Sequence, residues 1–234
     1  MRILSFNIRG GLGMDGRRSV ERIAQVVEET NADVVCLQEV HRRLPWSGFQ
    51  DQVRRLERLC GFHVVFQSNL AVRFGSFGNA IATSLPILSC SRHRLSNAHE
   101  RTRPALRFEH RGLLEVVVET SAGPLAVMTT HWSLDARDRL EAAREVAAHV
   151  QKQETSVTLM GDLNALPEST EVGLLRELTG LEDAASSGGE PTYPSDCPRA
   201  RIDYVLYSPD LGAPRSWVVD TQASDHRPVV VEWG

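Results

Sequence analysis

Two patterns of apolar positions alternate along the chain. Short apolar runs are typical of buried strands, whereas longer stretches repeat apolar residues at helical spacing, as Val20, Ile23 and Val27 do. The helical pattern predicts helices over residues 17–30, 50–60, 134–151 and 168–178. The other pattern predicts strands over residues 3–8, 33–38, 63–67, 79–84, 87–95, 106–110, 113–120, 125–130, 157–160, 201–207, 216–221 and 229–233.

The predicted strands and helices are interspersed along the whole chain. This order predicts an α+β fold in which sheets are faced by helices. A length of 234 residues suits one large domain or at most two small ones. Residues 185–198, rich in Ser, Gly and Pro, resemble a linker, but too few elements follow them to form a domain. We therefore expect residues 1–234 to form a single domain.

The composition is that of an ordinary globular protein, with 41% hydrophobic and 24% charged residues. No apolar stretch is long enough for a transmembrane helix, and the first residues show no signal-peptide pattern. The four cysteines lack the CxxC spacing of a zinc site, and a reducing compartment is the simplest interpretation. We expect a cytoplasmic monomer. The net charge of −4 gives no overall attraction to nucleic acid.

Polar residues recur where the predicted strands end. Asn7, Glu39 and His131 each end an apolar run, and Asp162 and Asn164 follow another. Each alone has a simple structural explanation, such as a cap, an Asx turn or a solvated residue. Because strand ends at one edge of a sheet commonly build binding sites, the recurrence favours a shared site.

The ligand types in this set favour a hard cation. Glu39, Asn7, Asp162, Asn164 and Asp225 offer only oxygen ligands to a metal ion. Mg²⁺ or Mn²⁺ fits such ligands better than Zn²⁺ does. The histidines at positions 131 and 226 would then serve a phosphate group and proton transfers.

Asp225 and His226 are neighbours just before the last predicted strand. Adjacent side chains of extended backbone point to opposite sides, so Asp225 is poorly placed to orient His226. A catalytic histidine usually needs a carboxylate on its second nitrogen. Asp203, inside an apolar strand pattern, is the best candidate, and a structural hydrogen bond to a loop is its alternative role.

These residues lie in motifs that resemble the endonuclease/exonuclease/phosphatase superfamily, in particular its compact bacterial metal-dependent hydrolases. The resemblance implies a four-layer α/β/β/α sandwich of two packed sheets flanked by helices. The matching segments occur in the family's order and are residues 5–8, 37–40, 78–81, 130–131, 161–165, 201–204 and 224–228.

The resemblance also implies roles for individual residues. Glu39 is similar to the main metal ligand of the family, with Asn7 and Asp225 beside it. Asp162 resembles the group that activates or positions the attacking water. His226 resembles the histidine that binds the scissile phosphate or transfers a proton. Whether Asp162 or His226 is the general base stays open.

Further positions match the family's phosphate-contacting residues. Asn164 and His131 resemble such residues, and Asn79 matches a position near the phosphate in some branches. Arg111 resembles an arginine of small bacterial members, and a surface arginine is its alternative reading. Asp203 would orient the catalytic histidine.

The expected function is divalent-metal-dependent hydrolysis of a phosphoester by in-line attack of water, as in a phosphodiesterase or phosphatase. The alternative is an endonuclease or exonuclease acting on DNA or RNA, with nucleic acid as partner. A non-catalytic binding protein ranks lower, because Glu39, Asp162 and His226 are all present. The ligand set does not require two metal ions.

Two arginine-containing segments follow predicted strands, residues 41–46 and 99–103. They are candidates to line the cleft, and Trp46 offers a stacking surface. The alternative is that both are solvated loops.

Overall fold

The elements of the fold follow the two apolar patterns of the sequence. The structure is a computed structural model and describes residues 1–96, 110–185 and 188–234. Within them the helices are α1 (Val20–Thr30), α2 (Gln52–Cys60), α3 (Ala136–Val150) and α4 (Thr170–Thr179). The strands are β1 (Arg2–Asn7), β2 (Val34–Arg42), β3 (His63–Val72), β4 (Gly75–Thr83), β5 (Ile87–Leu95), β6 (Arg111–Thr120), β7 (Gly123–His131), β8 (Ser156–Asp162), β9 (Glu182–Asp183), β10 (Asp203–Tyr207), β11 (Arg215–Val218) and β12 (Val229–Glu232).

Local sequence signals set the ends of the first helix. The Ser19 side chain accepts a hydrogen bond from the backbone N–H of Arg22, which caps the start of α1. Asn31 ends the helix in the left-handed conformation. The face that carries Ile23 and Val27 is buried against sheet 1, described next.

The strands form two mixed sheets of six strands each. Sheet 1 has the order β11-β12-β1-β2-β4-β3, and sheet 2 has the order β5-β6-β7-β8-β10-β9. Strands β1 and β2 are parallel, and so are β7 and β8. Helix α1 joins the first pair and α3 joins the second. In each pair, the carboxyl ends of the two strands therefore lie at the same end of their sheet.

The two sheets pack face to face, and the helices cover their outer faces. One apolar layer lies between sheet 1 and helices α1 and α2, and another between sheet 2 and helices α3 and α4. A third layer, which includes Ile3, Cys36, Val127 and Met160, fills the space between the sheets. The fold is thus the four-layer α/β/β/α sandwich that the sequence resemblance implied.

The layer between the sheets changes from apolar to polar along the central strands. Side chains alternate between the two faces of a strand, so Gln38 faces the same gap as Cys36. Gln38 Nε2 donates a hydrogen bond of 2.9 Å to Thr129 Oγ1, which joins β2 to β7 across the gap. Asn7 and His131, the last residues of β1 and β7, come next in the alternation and face the same gap.

Several predicted strands differ from the observed ones. Residues 106–109 of one predicted strand and the whole of the predicted cleft segment 99–103 lie outside the described residues, and His110 precedes β6. Strands β3 and β4 are longer than predicted because they pair with each other as far as Val72 and Gly75. None of the helices in the described ranges is both long enough and apolar enough to cross a membrane.

Candidate active site

Three predicted site residues form a row across sheet 2. His131 of β7 is paired in register with Asp162 of β8, and Asp162 is paired with Asp203 of β10. Residues in register present their side chains to the same face of a sheet. His131 Nε2 lies 3.4 Å from Asp162 Oδ2.

Sheet 1 completes the site from the opposite side of the gap. Asn7 Nδ2 donates hydrogen bonds to Asp162 Oδ2 at 3.0 Å and to Glu39 Oε1 at 3.2 Å. Asn7 and Asp162 are almost fully buried. The Asn7 amide therefore links a carboxylate of sheet 1, Glu39, to a carboxylate of sheet 2, Asp162, at this end of the gap.

Glu39 does not end its strand, and this part of the prediction is wrong. Strand β2 continues to Arg42, and its pairing with β4 shifts between Leu37 and Val40. Glu39 has a φ of 58°, in the left-handed region. Such a β-bulge redirects the side chain out of the regular alternation, and here it sends the carboxylate toward Asn7.

A glycine allows β8 to approach β7 closely enough for the row to form. Gly161 has a φ of 143°, and a Cβ atom on it would collide with the carbonyl oxygen of Thr130. Glycine avoids both the steric overlap and the backbone strain. The position of Asp162 next to His131 thus depends on Gly161, the residue before Asp162.

His226 joins the row from the loop before β12. Its Nδ1 lies 2.9 Å from Asp203 Oδ2, and its Nε2 lies 3.6 Å from Asp162 Oδ2. Asp203 is the first residue of β10 rather than an interior one. The carboxylate of Asp203 thus holds one nitrogen of the ring and leaves the other directed toward Asp162.

Two residues near His226 were not among the predicted site residues. Thr192 Oγ1 donates a hydrogen bond of 2.5 Å to Asp203 Oδ2. The ring of Tyr193 lies 4.9 Å from the ring of His226, at an interplanar angle of 48°. Both contacts span large sequence separations, so no local pattern announces them.

The linker-like interpretation of residues 185–198 is wrong for the second part of the stretch. Thr192 and Ser195 are completely buried. The backbone N–H of Ser195 donates to the carbonyl of Asp225 at 2.8 Å, and the N–H of Arg227 donates to the carbonyl of Thr192 at 2.7 Å. The segment therefore supports the loop that carries His226.

Asp225 faces a different neighbour from His226, as the alternation of side chains predicted. Its Oδ2 lies 3.3 Å from Arg9 Nε. The backbone N–H of Arg9 also donates to Asn7 Oδ1 at 3.1 Å. Arg9, which sequence reasoning missed, thus connects the two ends of the chain at the site.

The carboxylates around His226 control its charge. Burial lowers the pKa of His226, but the attraction of Asp203, Asp162 and Asp225 outweighs burial and raises that pKa to about 10. Burial and repulsion by Asp203 raise the pKa of Asp162 to about 7. At neutral pH a protonated imidazole therefore lies beside a carboxyl group that gains and loses its proton near that pH.

His131 and Glu39 are influenced by Arg111, the first residue of β6. Burial lowers the pKa of His131 well below its usual value, and the charges of Arg111 and His226 lower it further. Burial raises the pKa of Glu39, whereas Arg111 opposes that rise. His131 is therefore a neutral imidazole, and the charge of Arg111 acts within the site.

Of the two remaining predicted residues, Asn164 contacts Asp162, whereas Asn79 contacts strand β6. The backbone N–H of Asn164 donates to Asp162 Oδ1 at 2.9 Å, and Asn164 Nδ2 donates to the carbonyl of Trp132 at 3.0 Å. Asn79 is completely buried, and its Nδ2 donates to the carbonyl of Gly112 at 3.2 Å. Asn79 thus supports the strand next to Arg111, and its contact with substrate stays a prediction.

The described residues contain one compact group of metal-type ligand atoms. Asp162, Asp203 and His226 each offer an atom, and these atoms lie within 4.8 Å of one another. Because His226 Nδ1 already contacts Asp203, the group is better suited to holding a proton than a cation. The predicted metal set is instead on the Glu39 side of Asp162.

The Glu39 side of the site has the donors that a hard cation prefers. Two carboxylates, Glu39 and Asp162, share the amide nitrogen of Asn7, and the charge of Asp225 contributes to the raised pKa of Glu39. This repulsion between carboxylates is what a bound cation relieves. Asn7 presents its nitrogen to them, so ligation through its oxygen involves a turn of the amide group.

A model of the endonuclease/exonuclease/phosphatase family matches residues 4–226 of the chain. Solved structures with the same architecture support this match. An endonuclease/exonuclease/phosphatase from Beutenbergia cavernae is 28% identical, with a TM-score of 0.84, and the match covers 99% of this chain and 70% of that one.

Two further structures are less similar in sequence and show the fold alone. A mannosyl-6-phosphatase from Bacteroides thetaiotaomicron is 17% identical, with a TM-score of 0.75, over 99% of this chain and 98% of that chain. A humanized TDP2 from D. rerio is 18% identical, with a TM-score of 0.70, over 99% of this chain and 97% of that chain.

Proposed function

Because this chain belongs to the endonuclease/exonuclease/phosphatase family, we propose that it is a Mg²⁺- or Mn²⁺-dependent phosphodiesterase or phosphatase. Members of the family are generally hydrolases that act on phosphoester bonds and use divalent metal ions. The observation that carries the proposal is the position of Asp162. Asp162 Oδ2 lies 3.6 Å from Nε2 of the protonated His226 and 3.0 Å from Asn7 Nδ2, which also donates to Glu39.

The metal ion fits the Glu39 side of the site. Glu39, Asn7 and Asp225 are the residues that would hold it, all through oxygen atoms. When bound, the ion supplies Lewis-acid stabilisation of the negative charge that develops on the phosphoryl and leaving oxygens. Few protein ligands are typical of Mg²⁺, which keeps part of its water shell.

Asp162 is the best proton acceptor for the attacking water. A general base works best when its pKa is close to the operating pH, and the pKa of Asp162 is about 7. His226 holds its proton at that pH, because its pKa is about 10. The water oxygen bonds to phosphorus as its proton passes to Asp162, and the bond to the leaving oxygen breaks, so that this oxygen departs as an oxyanion with the bonding electron pair.

The histidines then have separate tasks. Protonated His226, oriented by Asp203, donates a hydrogen bond to the phosphoryl oxygens and balances their charge. Neutral His131 binds the phosphate without adding a second positive charge, and Arg111 supplies positive charge to the site. Asn164 contributes a further phosphate contact through its amide group.

The test is hydrolysis of bis(p-nitrophenyl) phosphate by the full chain. We expect turnover with Mg²⁺ or Mn²⁺, none after chelation, and recovery when the ion is restored. Glu39→Gln and Asp162→Asn should each lower kcat/KM by about 10²- to 10⁴-fold. Glu119→Gln is the matched control, because Glu119 is exposed on β6 and pairs with Pro124 far along the strand from Arg111.

No turnover with any divalent ion, or wild-type rates in both site variants, would contradict the proposal. The alternative activity, cleavage of nucleic acid, is distinguished by comparing plasmid nicking with product release from a panel of small phosphoesters. Preferred cleavage of plasmid DNA or of RNA would assign the chain as a nuclease.

A further inference from the structure

A cavity of about 330 Å³ opens beside Glu39. Its lining includes Glu39 itself, two arginines and three aromatic rings, namely Arg9, Arg18, His41, Trp46 and Phe77. His41 and Trp46, of the segment 41–46 that the sequence predicted as a cleft wall, line part of this cavity. The proposed hydrolytic activity gives this cavity no task.

The inner wall of the cavity is a fixed aromatic surface. His41 is 5% exposed, and its ring contacts the rings of Trp46 and Phe77 at centroid distances of 6.4 and 5.5 Å. Gly10 permits this position of His41, because a Cβ atom on Gly10 would overlap the imidazole ring. The ring of His41 is therefore held between the loop after β1 and strand β4.

Trp46 extends this wall into solvent. Its side chain is 55% exposed, although tryptophan is highly buried on average. The residue is held in a short turn, where the backbone N–H groups of Ser47 and Phe49 donate to the carbonyl of Leu44. A large aromatic surface left open at the mouth of a cavity is typical of a ligand contact.

The rim of the cavity carries two guanidinium groups: Arg9 is paired with Asp225, whereas Arg18 is held by backbone carbonyls. Arg18 Nη1 donates to the carbonyls of Arg9 and Gly10 at 3.1 and 2.9 Å, which fixes the guanidinium group there. No carboxylate within the described ranges lies within ion-pair distance of Arg18. An aromatic wall beside a guanidinium group that has no ion-pair partner in the described part of the chain suits an aromatic anion better than an acyl chain, which would leave that charge unused.

We infer that this cavity binds an aromatic ring of the phosphoester substrate, up to the size of one nucleoside, stacked on Trp46. The volume is at the lower end for small-molecule sites, so it suits one such group. The net charge of −4 makes a long polyanion a poor partner. The inference rests on the proposed hydrolytic activity and assigns the substrate class as small nucleotide-like esters.

The experiment compares substrates that differ in the ring alone. One pair is a nucleoside 5′-monophosphate and ribose 5-phosphate, and the second is the pair of their methyl esters. Kinetics are measured by chromatography of the products with Mg²⁺ or Mn²⁺. We expect wild-type kcat/KM to be about tenfold or more higher for the base-bearing member, because stacking of one base is worth ~1–3 kcal/mol.

Trp46→Ala should remove this preference mainly through KM, and Trp46→Phe should retain part of it. Phe49→Ala is the matched control: it removes an exposed aromatic residue of the same loop that does not line the cavity. Equal kcat/KM for both members of each pair would overturn the inference while leaving the hydrolase proposal intact. So would a preference that survives in Trp46→Ala.

A binding measurement keeps the inference testable if no substrate is hydrolysed. Isothermal titration calorimetry of the full chain with adenosine 5′-monophosphate should give a Kd about tenfold or more lower than with ribose 5-phosphate. The difference should disappear in Trp46→Ala and persist in Phe49→Ala. Failure of hydrolysis with retained base-dependent binding would overturn the activity alone, and equal binding of both ligands would overturn the inference.

Discussion

The charge of a single residue, Asp203, contributes to the protonation of two others. It attracts the proton of His226 and repels a second negative charge on Asp162, so it raises both pKa values. Thr192 and His226 hold Asp203 in place by contacts to the same oxygen, Oδ2. Asp203 thus holds the ring of His226 in place and acts on Asp162 through its charge.

Asp203→Asn should make the stability of the protein less sensitive to alkaline pH. A histidine whose folded pKa is raised contributes stability that is present below its unfolded pKa of ~6.5 and is lost as pH rises through the folded value. For His226 this loss extends to about pH 10. Between pH 7 and 10, the wild-type protein should lose on the order of 3 kcal/mol through this group.

The variant should lose clearly less over the same range. The pKa of Asp162 is about 7, so its ionisation is nearly complete by about pH 8 and its titration adds little over most of this range. Chemical unfolding at several pH values, with a chelator present in both samples, gives the two slopes. Identical slopes would show that Asp203 does not hold the proton on His226.

At the level of elements, the close approach of β7 and β8 is the feature on which the site depends. The two parallel strands bring His131 beside Asp162, and Gly161 is the residue that makes this spacing sterically permissible. The bulge at Glu39 has a comparable effect in sheet 1. It turns the Glu39 side chain toward Asn7, whereas a regular strand would point it elsewhere.

Gly161→Ala should therefore lower the free energy of unfolding by about 1–3 kcal/mol or more, through strain at positive φ and overlap with Thr130. Activity should fall as well, because Asp162 is displaced. Gly173→Ala is the matched control: Gly173 is an exposed residue of α4 with nothing near its would-be Cβ atom, and alanine there should stabilise the helix by ~1 kcal/mol. Denaturant unfolding of the two variants provides the comparison, and equal stability changes would refute the steric argument.

The sequence predicted these elements well where periodicity alone decides them. The four helices, the central strands and the polar ends at Asn7, His131 and Asp162 follow from local pattern. The bulge at Glu39 does not, because it arises from the pairing of β2 with β4. Thr192 was not predicted for a related reason: its side chain contributes a hydrogen bond to Asp203 that no local sequence pattern encodes.

At the scale of the whole molecule, the two sheets cooperate to build one site at the polar end of the gap between them. The hydrogen bond from Gln38 to Thr129 lies across this gap, in a layer whose other members are largely apolar. Buried polar groups cost stability when their partner is removed. The bond therefore fixes the relative position of the sheets next to the site.

A double-mutant cycle with Gln38→Met and Thr129→Val measures this link. Each single change removes the 2.9 Å bond and should cost ~1–3 kcal/mol, because Gln38 Nε2 keeps only longer contacts, at 3.4 and 3.5 Å, to the Cys36 carbonyl and Ser5 Oγ. The double change removes both groups, so the total should be smaller than the sum by ~1 kcal/mol. Simple additivity in urea unfolding would mean that the two sheets are not coupled through this bond.

The pairing of β1 with β12 has a consequence for the order of assembly during synthesis. Arg2 is in register with Glu232, 230 residues away, and β12 separates β1 from the edge strand β11. Such distant contacts give the fold a high contact order, which slows folding. Sheet 2 leaves the ribosome complete while the centre of sheet 1 still lacks a neighbour. His226 emerges with that missing part, so the nascent chain gains this imidazole of the candidate site at the same stage at which it can first close its fold.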